Sequence, residues 1–268
     1  MAGLLMIHGA GGSTETHFGG LTRRIGDRFP CVRGELPERE GLGVDEVVDG
    51  FVAAADAAGA GTFAVCGYSV GAPLAVRLAV RHPERVTGLV LTAPFARLDH
   101  RMRLGVSLWR GLYESGRHRL LAEHLALTGL GETFLERTDP ARLRAMLMLA
   151  PAPPAGTPAH LELAGRIDVR EDLGRLAVPA LVVVTTEDPL VSPARQRALA
   201  AAVPGARTAE LATGHLPFWE DPEGWADAVE GFLTAEGFLA AGEFLTVGEF
   251  LPVGESPAAG APGSDGFG

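Results

Sequence analysis

The stretch AVCGYSVGAPLAV, Ala64 to Val76, sets one serine between two glycines where an apolar run gives way to a helix-like one. Phe63–Cys66 is short, apolar and followed by glycine, as a buried strand is, and Pro73–Arg81 carries apolar residues at helical spacing. A strand feeding a helix through a tight turn is the repeating unit of an α/β sheet. Five further apolar runs repeat it: Leu4–Ile7, Cys31–Val32, Gly88–Leu91, Ala180–Thr185 and Thr208–Leu211. Longer stretches at helical spacing, such as Val44–Ala57, separate most of them. Wholly apolar strands alternating with helices predict an α/β fold, a doubly wound, mostly parallel sheet of about six strands buried on both faces.

The alternation lapses between about Ala96 and Asp168. There RMRLGVSLWRGLYES, RHRLLAEHLAL and PARLRAMLMLA read as amphipathic helices, and no strand is evident. A helical block between two strands of one sheet reads as a cap, which PAPPAGTP (Pro151–Pro158) breaks near its end as a hinge-like segment would. The expected organisation is a core of residues 1–95 and 168–233, a cap of 96–167 and a tail of 234–268. Within the tail, EGFLAAGEFLTVGEFLPVGES repeats Gly-Glu-Phe-Leu-x-Val with a degenerate first copy, ahead of a Gly/Pro/Ser-rich end. Three copies are too few for a solenoid, so it reads as low complexity, docking Phe and Leu residues on the domain surface, with no function assigned.

Composition narrows the function classes. The 268 residues, 47% hydrophobic, suit one large domain. No run approaches the roughly 18 apolar residues of a membrane span. MAGLLMIHGAGG has no basic region or small-residue cleavage site and reads as a strand, not a signal peptide. A net charge of -10 without a basic cluster argues against nucleic acid or an anionic membrane as partner. Cys31 and Cys66 lie in apolar runs and read as buried free thiols, consistent with a reducing cytoplasm. Abundant Ala, Arg, Gly and Pro with little Lys suggest a GC-rich bacterial source.

Gly67-Tyr68-Ser69-Val70-Gly71 fits G-x-S-x-G, in which a serine on a strained strand-to-helix turn is held clear of the sheet. Side chains two residues to either side would collide there, hence the glycines. An ordinary serine at a βα turn is the competing reading, and the flanking strand and helix favour the nucleophile. Val70 opens the helix, so its N–H is unpaired at the positive end of the helix dipole, and Pro73 is harmless in the first turn. A serine nucleophile needs a base, usually histidine, held by a carboxylate. Among eight histidines, His215 in LATGHLPFWEDPE follows the last strand-like run, on a loop where α/β sheets place functional groups. A structural role is its alternative. His100, His118, His124 and His160 read as surface or cap residues, His82 ends a helix, and His8 and His17 flank the first glycine loop. Asp188 follows the strand Ala180–Thr185 and is the expected carboxylate, with Glu187 the runner-up; Asp168 and Asp172 precede that strand and belong at its other end. The loop His8-Gly9-Ala10-Gly11-Gly12 offers a second donor for a negative oxygen, the Ala10 N–H. As a phosphate loop it would need G-x-G-x-x-G or a Lys-Ser/Thr ending, and GAGGSTE completes neither, so no cofactor is expected. No H-E-x-x-H or clustered His/Cys pattern suggests a metal.

IHGAGG, GYSVGAPLA, HPERVTGLVLTAP, VPALVVVTTEDPLVSP and TGHLPFWEDPEGWADAVEGFL together resemble the α/β-hydrolase superfamily in its cap-bearing, esterase-like branch. They cover nearly all of residues 1–95 and 168–233 in that family's order. The resemblance implies a Ser69/His215/Asp188 triad, Ala10 and Val70 as oxyanion donors, and a helical lid over the site. Three departures stand out: the chain starts at the family's third strand, without the leading hairpin; CVRGELPE replaces D-x-R-G-x-G; and the repeat tail has no counterpart. The implied reaction is acyl transfer through Ser69 on a small to medium apolar carbonyl compound, with ester, thioester, lactone and carbon–carbon bond cleavage not separated. Trp109, Met146 and Leu216 are pocket candidates, with packing of the cap as their alternative role. A non-hydrolytic lyase or cyclase, or a ligand-binding protein on the same scaffold, stays open beside the hydrolase, and oligomeric state is not read.

Overall fold

The protein, seen in a computed structural model, is described over residues 2–26, 28–150 and 152–238. In chain order it runs β1 (Ala2–Ile7), α1 (Thr14–Ile25), β2 (Cys31–Gly34), α2 (Val44–Ala57), β3 (Thr62–Tyr68), α3 (Gly71–Arg81) and β4 (Val86–Thr92). Five helices follow without a strand: α4 (His100–Glu114), α5 (His118–Gly129), α6 (Glu132–Arg137), α7 (Pro140–Leu149) and α8 (Thr157–Arg166). The chain then returns through β5 (Ala180–Thr185), α9 (Pro193–Ala202), β6 (Arg207–Leu211), α10 (Pro217–Glu220) and α11 (Pro222–Ala235). Each strand contains its predicted apolar run and extends it by at most two residues at either end.

All neighbouring strands pair in parallel, in the order β2-β1-β3-β4-β5-β6. Both faces are covered, which is why the central strands read as unbroken apolar runs. Along β5, Val182 and Val184 enter a core with α2, α3 and α9, while Leu181 and Val183 enter a second core with α1 and α11. β1 divides likewise, Leu5 and Ile7 against Leu4 and Met6. The edge strand β6 departs from the expectation of uniform burial: Arg207, Thr208 and Glu210 are exposed. An edge has one neighbour only, and charged side chains there discourage further strand pairing.

From β1 the chain moves outward to β2, then crosses back over β1 to β3. Strand order therefore reverses at β1 and β3, and the crevice at their carboxyl ends is where open α/β sheets bind ligands. The loop after β1 and the elbow after β3 both open there. Residues 96–167 leave and rejoin the sheet at one point, tied by an Arg97–Asp168 bridge and a Val169 N–H bond to Ala96 O at 3.0 Å. Of the tail, residues 234–238 are described; Phe238 sets its ring 6.5 Å from that of Phe232, and the repeat beyond lies outside the described residues. Cys31 and Cys66 are free, and burial pushes both thiols up. Among the described residues no helix is long and apolar enough to cross a membrane.

Candidate active site

Ser69 sits between β3 and α3 at φ +53°, the left-handed region that non-glycine residues seldom occupy. Its N–H donates to Thr92 O at 3.0 Å, anchoring the turn to β4. The glycines on either side are required by space. A Cβ on Gly71 would lie 2.0 Å from Ile7 O, and one on Gly67 would lie 2.4 Å from Gly71 O. Such contacts with backbone leave nothing that can yield. Val70 adopts helical dihedrals as the cap of α3, and neither its N–H nor that of Ala10 meets an acceptor among the described residues.

His215 Nε2 lies 2.9 Å from Ser69 Oγ, and its Nδ1 lies 2.7 Å from Asp188 Oδ2. The three side chains come from loops after three different strands and are all buried. Asp188 accepts the Leu190 and Val191 N–H groups on Oδ1, at 2.9 and 2.8 Å, and the Thr185 hydroxyl on Oδ2, at 2.9 Å. A carboxylate that accepts on both oxygens sets the imidazole tautomer. His215 donates from Nδ1 and presents the Nε2 lone pair to the serine hydroxyl. Behind Asp188, the fully buried Gln196 donates from Nε2 to Thr185 Oγ1 and Val191 O, both at 2.8 Å, and accepts the Thr185 N–H at 2.9 Å.

Glu187, the runner-up carboxylate, points elsewhere, accepting the Thr133 N–H and hydroxyl at 2.8 and 2.6 Å. Asp168 pairs with Arg170, and Asp172 with Arg77 and Arg175. The histidine loop is built against the helical segment. His215 N–H donates to Gly129 O at 2.6 Å, and a Cβ on Gly214 would lie 2.3 Å from Gly131 N. Glu220 ties both sides by accepting the Gly131 and Gly214 N–H groups at 3.2 and 2.9 Å, and desolvation raises its carboxyl.

Across the crevice the His8–Gly12 loop closes on the elbow, and a Cβ on Gly9 would come 3.1 Å from Ser69 Cβ. Trp109, from α4, lays its indole against Gly11, where a Cβ would meet Cζ2 at 2.4 Å; Gly11 itself has φ +70°. Leu216 packs toward Gly129, and Met146 is half-buried on α7, outside both cores. Among the described residues no three His, Cys, Asp or Glu side chains are grouped to hold a metal ion.

Sequence reasoning missed three residues. His160, expected at the surface or in the cap, is buried, and its Nδ1 accepts the Gly11 N–H at 3.3 Å. His17 Nδ1 accepts the Gly9 N–H at 3.2 Å. Desolvation, with His8 next, lowers the pKa of His17 to about 3 and of His160 to about 4. Gln196 is the third. A signal existed for two of them: His160 with Thr157 and Ala164, and Gln196 with Leu199 and Ala200, are polar residues on buried stripes of helical spacing.

The chain matches the alpha/beta hydrolase fold family over residues 4–222. It is 29% identical over 243 residues to a pyrrolizixenacetamide deacetylase of Xenorhabdus hominickii, covering 87% of this chain and 91% of that protein. It is 30% identical over 250 residues to a pimeloyl-[acyl-carrier protein] methyl ester esterase of Neisseria meningitidis serogroup B, covering 85% and 93%. Among solved structures, Rv0554 from Mycobacterium tuberculosis superposes with a TM-score of 0.76 at 25% identity, covering 87% of this chain and 90% of that one. With an open parallel sheet, an elbow serine at its switch point and a match across most of its length, the chain belongs to the alpha/beta hydrolase fold family.

Proposed function

We propose that this α/β hydrolase is a serine esterase that works through an acyl-enzyme on small to medium apolar esters, thioesters or lactones. One observation carries the reading: the continuous path Ser69 Oγ, His215, Asp188 at 2.9 and 2.7 Å, flanked by two backbone N–H groups left without acceptors. Ser69 Oγ attacks the carbonyl carbon while its proton passes to His215 Nε2. Asp188 fixes the ring and stabilises the imidazolium, and the Ala10 and Val70 N–H groups hold the oxyanion. Collapse expels the alcohol, which takes the proton from His215. Water then repeats the sequence on the acyl-enzyme, releasing the acid and returning the proton to Ser69.

In this reading residues 1–95 and 168–233 are the catalytic core and 96–167 a lid. Trp109, Met146 and Leu216 then border the pocket for the apolar acyl part. The methyl ester esterase among the relatives supports ester cleavage. The deacetylase supports a second reading, in which the same triad cleaves an acetamide. Steady-state kinetics on p-nitrophenyl acetate, butyrate and octanoate, a simple lactone and p-nitroacetanilide test both. We expect ester turnover by the wild type and a loss of at least about 10³-fold in kcat for Ser69→Ala and His215→Gln. Undiminished ester turnover by Ser69→Ala overturns the mechanism; turnover of the anilide alone replaces the ester reading with the amide one.

A further inference from the structure

We infer that His17 and His160 are positioning residues for the oxyanion hole, gripping the His8–Gly11 loop by the two amides that flank Ala10 so that the Ala10 N–H alone faces the reacting carbonyl. The inference rests on the serine-esterase reading. In a loop of three consecutive amides, the outer two are occupied: Gly9 N–H donates to His17 Nδ1 at 3.2 Å, and Gly11 N–H donates to His160 Nδ1 at 3.3 Å. The middle amide, Ala10, has no acceptor among the described residues. The carbonyl side is fixed too, since His8 Nδ1 donates to Gly9 O at 2.7 Å while His8 Nε2 accepts the Leu36 N–H at 2.9 Å. A glycine-rich loop has many backbone conformations, and an oxyanion donor is effective only when aimed before the charge develops. Bonds from two separate elements supply that aim.

The rings themselves are held. His17, from α1, stands edge-on to Tyr68 at 4.9 Å and against Phe218 at 5.1 Å; His160, from α8, stands edge-on to His8 at 5.4 Å. Both must be neutral to accept from an amide. Low-dielectric packing and then the neighbouring His8 favour that form in both rings, against the pull of the nearby acid Glu35. No metal accounts for three adjacent histidines, because among the described residues they do not group as ligands. Because α8 belongs to the helical segment 96–167, the seating of that segment and the aim of the Ala10 N–H are one arrangement.

The test replaces each histidine in two ways: His17→Phe and His160→Phe keep a ring without an acceptor, and His17→Asn and His160→Asn keep an acceptor near the Nδ1 position without the ring. Kinetics on a p-nitrophenyl ester are paired with the inhibition constant of phenylboronic acid, whose tetrahedral serine adduct places an oxygen in the hole; thermal melts verify folding. We expect the Phe variants to lose roughly 10- to 100-fold in kcat, less than outright removal of an oxyanion donor, with KM little changed and boronate binding weakened in proportion. The Asn variants should recover most of both. Phe variants with wild-type kcat and boronate affinity overturn the inference, as do Asn variants that lose as much as Phe. Should a Phe variant fail to fold, His→Leu serves the same comparison. A wild type that neither turns over esters nor binds boronate removes the serine reading and this inference with it, whereas an active wild type with indifferent variants removes only the inference.

Discussion

Gln196 touches neither His215 nor Ser69, yet the orientation of Asp188 passes through it. Its Oε1 accepts the Thr185 N–H, and its Nε2 donates to Asp188 Oδ2 at 3.1 Å and holds the Thr185 hydroxyl in the direction that donates to the same carboxylate. Gln196→Leu would leave a buried N–H without an acceptor, at about 1–3 kcal/mol, and free the hydroxyl to turn away. We expect a lower melting temperature and a kcat reduced about tenfold with KM nearly constant, since the change acts on the proposed base and not on substrate binding; thermal melts and ester kinetics on the same preparation check both. Ser69, Asp188 and His215 were legible in the sequence because each has a local signal: paired glycines, or a position just after an apolar strand. Gln196 and His160 show only as polar residues on apolar stripes, and nothing local names their partners. His160 meets Gly11 across 149 residues of chain.

The central strands were legible because burial on both faces makes their runs apolar, and no tertiary knowledge is needed to see that. The edge strand β6 was found although three of its five residues are exposed, since its neighbours in the chain punctuate it clearly. How the helices between β4 and β5 meet the His215 loop was not legible, because there the close approach is made by backbone. Gly129, Gly131 and Gly214 bring the end of α5 and the His215 loop within van der Waals reach of each other. A Cβ at position 214 would press on Gly131 N, and there is no flexible side chain to move aside. Gly214→Ala is therefore expected to part the two segments, costing roughly 1–3 kcal/mol of stability and lowering kcat more steeply than Gly105→Ala, whose Cβ meets only Leu190 Cδ1 at 3.6 Å. Parallel melts and kinetics on the two variants check this; equal effects would show that the close approach does not hold the histidine.

Across the whole molecule, desolvated neutral histidines make stability sensitive to acid. His17 and His160, at about 3 and about 4, bind protons less readily when folded than the unfolded chain does near its ordinary 6.5. Their contribution is complete above about pH 6.5 and is lost as pH falls toward 4, at up to about 1.4 kcal/mol per pH unit for each histidine. Glu35, held at about 2, adds to the loss below its usual 4.5, while Glu220, raised by desolvation, works in the opposite sense. Urea unfolding at pH 7.5, 6, 5 and 4 should show midpoints that fall at each step, and a flat profile from 7.5 to 5 would mean these rings charge without penalty. The catalytic reading itself is tested most directly by intact-mass spectrometry after exposure to a fluorophosphonate, on the wild type and on Ser69→Ala. A single covalent adduct on the wild type and none on the variant is the predicted result; a folded wild type that stays unmodified, or an adduct that survives Ser69→Ala, would contradict an activated Ser69.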